Sequence, residues 1–127
     1  MQAISEIRTD HVLNMAGGGT KDFNCWGATQ YVLRARDTLG WVEVKEMASW
    51  IRGNTKEVKQ ASTGDILVLW KRGITGKALV HTAVYLGDGQ YLHKIGSRHA
   101  ERTSKMRVVN HYKNMIDGHE IRRLTCE

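Results

Sequence analysis

The chain has 127 residues, 41% of them hydrophobic and 25% charged, which fits one domain with one sizeable core. Nineteen lysines and arginines against thirteen acids leave a net charge of +6. That suits an anionic partner such as nucleic acid, a wall polymer or a membrane surface, or a plain solubilising surface. No apolar run approaches the roughly 20 residues that span a bilayer, and two cysteines are too few for a disulfide framework.

Met1 to Met15 carry Glu6, Arg8 and Asp10 and no apolar stretch, so no secretory signal is expected. Either something else carries the protein out of the cytoplasm, or Met1 opens an excised domain. The expected organisation is a single catalytic domain over 1–127, with 1–20 as an N-terminal segment. The first part of that segment suits a short helix, and Gly17-Gly18-Gly19-Thr20 suits a flexible loop.

Asp22 or Asn24 can cap a helix from Cys25 to Leu39, with Cys25, Ala28, Val32, Ala35 and Leu39 on its buried face and Gly40 at its end. Val44, Met47, Ala48 and Ile51 share one face of a second helix, closed by Gly53-Asn54. Lys56 to Thr63 reads as a polar connection. Gly64-Asp65 turns into Ile66-Leu67-Val68-Leu69-Trp70, a short apolar run best read as a buried strand. Lys71 to Lys77 reads as a basic loop, Ala78 to Leu86 as a second strand and Tyr91 to Ile95 as a third. Gly96 to Thr103 reads as a polar loop, Ser104 to Met115 as either helix or strand, and Glu120 to Leu124 as a last strand after the Asp117-Gly118 turn. Helices first and a strand meander second predict an α+β fold, with N-terminal helices packed on an antiparallel sheet.

The chemistry centres on three residues. A cysteine in the first turn of a helix, Cys25, meets unsatisfied amides and the positive end of the helix dipole, both of which favour thiolate. The same amides can form part of an oxyanion hole. Read alone, Cys25 is more readily a small core residue. His81 and His93 lie on the second and third strands, joined through Asp88-Gly89, a strong hairpin pair. A two-residue loop with regular pairing would set His93 opposite Val84 and turn the two imidazoles to opposite faces. A loop of odd length, with Gly89 left-handed and a bulge, would put both on one face as diagonal neighbours. The odd loop is therefore expected. His81 would then take the thiol proton, and His93 would orient His81.

Asn24-Cys25-Trp26-Gly27-Ala28, then Gly64-Asp65-Ile66-Leu67, then His81-Thr-Ala-Val-Tyr-Leu-Gly-Asp-Gly-Gln-Tyr-Leu-His93, resemble the NlpC-type, papain-like cysteine peptidases and amidases of the bacterial cell wall. The stretch from His111 to Arg123 resembles that family's C-terminal segment, so the likeness spans roughly Phe23 to Leu124. It implies a circularly rearranged papain-like fold with Cys25 as nucleophile, His81 as base and His93 as orienting residue. It also implies cleavage of amide bonds in peptidoglycan stem peptides. The family usually shows Asp-Cys-Ser-Gly where this chain has Asn24-Cys25-Trp26-Gly27. Trp26 and Asn24 are thus the candidate substrate-binding residues.

Small members of such folds without a signal occur as phage enzymes and as toxin domains delivered by secretion systems. Peptidoglycan or a protein amide is the expected partner, together with a cognate immunity or inhibitor protein. Neither a membrane nor nucleic acid is expected as partner, and no cofactor. A zinc site of Cys25, His81 and His93 would lack the carboxylate or second cysteine common in such sites, so no metal is expected. The alternatives are a protein deamidase or transamidase toxin and a metal-free ribonuclease using His81 and His93. In the ribonuclease, Lys71, Arg72, Lys77 and Arg98 would hold phosphates. A binding-only domain that keeps the fold without chemistry is a further alternative. Trp41, Trp50 and Trp70 are read as core or core-edge aromatics, His99, His111 and His119 as surface residues, Asp88 as a turn former and Cys126 as incidental.

Overall fold

The computed structural model describes residues 4–15, 22–95 and 99–125. Gly17-Gly18-Gly19-Thr20, Arg98 and Cys126 lie outside the described residues. The elements run α1 (Glu6–Leu13), α2 (Cys25–Val32), α3 (Val44–Asn54), β1 (Thr55–Val58), β2 (Ile66–Gly73), β3 (Gly76–Gly87), β4 (Gln90–Lys94), β5 (Ala100–Ser104), α4 (Lys105–Tyr112) and β6 (Gly118–Leu124). The six strands form one antiparallel sheet in the order β1-β6-β2-β3-β4-β5. This is the expected α+β architecture.

The sheet buries both faces, because β2 is apolar at every position from Ile66 to Leu69 and alternation sends those residues to opposite sides. Ile66 and Val68 join Val84 and Leu92 under Phe23, Ala28, Val32, Met47 and Ile51, the side covered by α1, α2 and α3. Leu67 and Leu69 join Ala83, Tyr91 and Ile121 under Val108 of α4. The segment that read as either helix or strand is thus a helix, capped by the Ser104 hydroxyl accepting from the Arg107 amide.

Three boundaries differ from expectation. First, α2 stops at Val32 rather than Leu39. Arg34 takes a left-handed φ of 64°, its amide donates to the Tyr31 carbonyl, and the Ala35 amide donates to Gln30. That is a Schellman ending built on arginine, where glycine is the usual cue. Second, the basic stretch from Lys71 to Lys77 is no loop. β2 and β3 continue through it to a two-residue turn at Ile74-Thr75, between the paired Gly73 and Gly76. Third, two polar stretches are strands at the sheet edges: β1 pairs with β6, and β5 with β4. Polar edge strands carry little hydrophobic pattern, because solvent takes one side of the ladder.

Trp41 also departs from the core reading, being 54% exposed, whereas Trp50 and Trp70 are half-buried. Asp65, buried at the start of β2, accepts from the Ser62 amide and from Nε and Nη2 of Arg123 at 2.9 and 2.8 Å, which ties β2 to β6. Among the described residues no helix is long and apolar enough to cross a membrane.

Candidate active site

Asn24 starts α2. Its side-chain oxygen accepts from the Gly27 amide at 2.9 Å and the Val42 amide at 3.2 Å, and its amide nitrogen donates to the Val42 carbonyl at 2.8 Å. The side chain proposed for substrate is thus engaged at both ends by the fold, as helix cap and as clamp on the α2–α3 connection. Gly27 follows from the same geometry, since a Cβ there would lie 1.7 Å from the Gly40 carbonyl oxygen.

Cys25 is therefore the first helical residue, held against β3. The Thr29 hydroxyl donates to the Cys25 carbonyl oxygen at 2.9 Å and lies 2.8 Å from the Thr82 hydroxyl, the second contact being fully buried. The β3–β4 register begins at Val84, so the part of β3 that carries His81 and Thr82 is approached by α2. Burial pushes the Cys25 thiol up to about 11. The amides of Thr82 and Trp26 and the ammonium of Lys94 pull the other way without prevailing. Desolvation outweighs the helix terminus, contrary to the thiolate-favouring expectation. Lys94, itself buried, sits with Nζ 5.1 Å from the Phe23 ring centre.

His81 and His93 meet as expected, by a different device. The turn between β3 and β4 has two residues, Asp88 and Gly89, both at positive φ, with Gly87 opposite Gln90. This is the type I′ pattern rather than an odd loop. The odd residue is Leu86 in the strand: Tyr85 faces Tyr91 and Gly87 faces Gln90, so Leu86 bulges. Above the bulge Val84 faces Leu92, which sets His93 diagonal to His81 on one face. His81 Nε2 and His93 Nδ1 are 3.0 Å apart, and the rings cross at 77°. A second bulge at Val80, where Leu69 faces His81 but Trp70 faces Leu79, turns Leu79 away from the imidazole face.

Two residues that the sequence reading did not place, Glu101 and Tyr112, join them, together with His111, which it read as a surface residue. Glu101 on β5 pairs directly across from His93, with Oε2 3.1 Å from His93 Nε2. Tyr112 of α4 stacks on His81, centroids 4.4 Å apart at 26°. Exposed His111 packs edge-on against Tyr112. Burial holds His81 well below the usual histidine range, and His93 and His111 add to the effect. Burial also lowers His93, opposed by its bond to Glu101. Burial and the neighbouring Cys25 push Tyr112 up to about 12. The cue for Glu101 was Gly96-Ser97, a common hairpin dipeptide that begins two residues after β4 and ends three residues before β5. Tyr112 had no local cue.

Trp26 packs against the helix-side core, and its indole N–H is buried without a partner. Lys77 is bonded to Glu120 and lies over Trp70, and the Arg72 amide donates to Asp117, so this hairpin serves the far end of the sheet. Among the described residues no group of three or more His, Cys, Asp or Glu side chains is placed to hold a metal.

A helix-borne thiol beside an antiparallel sheet that presents paired imidazoles defines the class of papain-like cysteine hydrolases. The comparisons narrow this. The NlpC/P60 family model matches residues 12–119, and the chain belongs to that family, a family of cysteine peptidases and amidases. A crystal structure of a protein similar to a lipoprotein, of the NLP/P60 family, from Staphylococcus aureus has the same fold, with a TM-score of 0.50 at 17% identity. The match covers 93% of this chain and 42% of that one, so the chain spans less than half the length of this relative. No curated protein matches the chain.

Proposed function

We propose that the protein is a cysteine amidohydrolase that cleaves amide bonds in peptidoglycan stem peptides, acting as a phage-borne or secreted antibacterial enzyme. The observation that carries the reading is the His81–His93 contact of 3.0 Å on the strands against which α2, with Cys25 at its start, packs. Family membership supports the hydrolase class, and the net charge of +6 suits an anionic wall polymer.

In the proposed reaction His81 takes the Cys25 proton as Sγ attacks the amide carbonyl carbon. The raised thiol and the depressed imidazole make the resting pair neutral, so the proton moves when substrate arrives. The imidazolium then protonates the leaving amine as the C–N bond breaks. Water, deprotonated by His81, attacks the thioester and releases a carboxylic acid and the free thiol. Helix-terminal amides would hold the oxyanion.

The test is digestion of purified peptidoglycan with wild type and Cys25→Ala, read by mass spectrometry. Fragments released by the wild type alone are expected, and their masses name the bond. If neither protein releases fragments, the wall is not the substrate, and protein amides become the next assay with the same variant as control.

A further inference from the structure

We infer that Glu101 is a positioning residue that fixes the proton on each imidazole and leaves Nδ1 of His81 as the basic nitrogen. The inference rests on the reading of Cys25 and His81 as nucleophile and base. An ionised carboxylate can only accept a hydrogen bond, so the 3.1 Å contact with Glu101 requires the hydrogen of neutral His93 to be on Nε2. His93 Nδ1 is then a bare lone pair. The ring 3.0 Å from it, His81, must donate from Nε2. A neutral imidazole has one hydrogen, so Nδ1 of His81 is left without one. One surface carboxylate thus sets the tautomer of a base that it reaches through one intervening ring.

Register makes the arrangement specific. His93 and Glu101 are direct partners in the β4–β5 ladder, so backbone pairing sets their approach. The Glu101 side chain is 44% exposed while that of His93 is 1% exposed, so the carboxylate keeps its hydration while bonding a buried ring. The other groups facing the pair are cationic or neutral: Arg107 and His111 of α4 act on His93, and His111 and Tyr112 on His81. Without Glu101 nothing among these selects Nε2–H on His93. Both rings could then reverse, putting a hydrogen on Nδ1 of His81 and blocking it as a base. When His81 becomes imidazolium, the same carboxylate stabilises the new charge through His93.

The experiment compares wild type, Glu101→Ala and Glu101→Gln by nitrogen-detected NMR of the imidazoles and by the rate of Cys25 alkylation with iodoacetamide at pH 7. Glutamine keeps the volume without the charge and covers the case where alanine does not fold. The wild type should show His81 and His93 each protonated at Nε2 alone. The variants should show mixed tautomers, and alkylation slowed roughly 10-fold or more toward the rate of His81→Ala. Single wild-type tautomers retained in the folded variants would overturn the inference. If Cys25 of the wild type reacts no faster than in His81→Ala, the nucleophile–base reading fails instead, and the tautomers still decide the role of Glu101.

Discussion

Gly27 lies so close to Gly40 that a Cβ on the first would fall 1.7 Å from the carbonyl oxygen of the second. The start of α2 and the α2–α3 connection thus touch through bare backbone, and Asn24 bonds the same connection at Val42. Gly27→Ala must push two backbone segments apart, and a cost of about 3 kcal/mol or more is expected in chemical denaturation. Gly53 is the contrast: it lies in α3 with open space around its Cβ position. Gly53→Ala should stabilise by about 0.5–1 kcal/mol through helix propensity.

The two hydroxyls that join α2 to β3 make a second prediction. Thr82→Val removes the 2.8 Å bond to Thr29 while keeping the side chain's shape. Loss of about 1 kcal/mol is expected, because the Thr29 hydroxyl keeps its bond to the Cys25 carbonyl. A double-mutant cycle with Thr29→Val measures the coupling.

Acid should loosen the protein sooner than its carboxylates alone would. His81 and His93 both have folded values below 6.5, with burial as the leading cause, so each binds its proton more readily in the unfolded chain. Their stabilisation is complete above pH 6.5 and is lost as pH falls toward the folded values. Each histidine contributes a slope approaching about 1.4 kcal/mol per pH unit in that window. Urea titrations from pH 7.5 to 5 on wild type and His81→Asn should show the shallower slope in the variant.

Tyr112 acts on the imidazole by its ring, since it stacks on His81 at 4.4 Å. Tyr112→Phe keeps the stack and should leave the Cys25 alkylation rate within about twofold. Tyr112→Ala opens one wall of the His81 site to water, and roughly a tenfold loss is expected, in keeping with the usual effect of residues that orient a reacting group. Equal rates in Phe and Ala variants would count against a role for the ring.

The helix faces, the strand that starts at Ile66 and the pair of histidines were legible because each rests on local periodicity or on a named dipeptide. What escaped has physical reasons. Arg34 supplies the left-handed residue that usually announces itself as glycine, so α2 looked longer than it is. β1 and β5 are polar edge strands: the partner of β1, β6, is the last strand of the chain, and β5, though next to β4 in sequence, carries no apolar alternation. Glu101 went unread with β5, and Tyr112 could be found only by knowing which face of the sheet α4 covers. The thiol was misjudged because a helix terminus can be seen in sequence and the depth of burial cannot.

Insertions and deletions in hairpins are ordinarily among the mildest changes a backbone can undergo, for the turn absorbs them at the surface. The bulge at Leu86 adds a second constraint here, since it reconciles a spacing of twelve residues between the histidines with a two-residue turn. A chain lacking Leu86 would keep Tyr85 opposite Tyr91 and Val84 opposite Leu92, so both imidazoles would stay on one face of a regular ladder. Regular pairing at the present length would instead set His93 opposite Val84 and turn it away from His81. Descendants of this sequence can therefore vary the turn residues widely, but can lose the bulge only together with one residue between the two histidines.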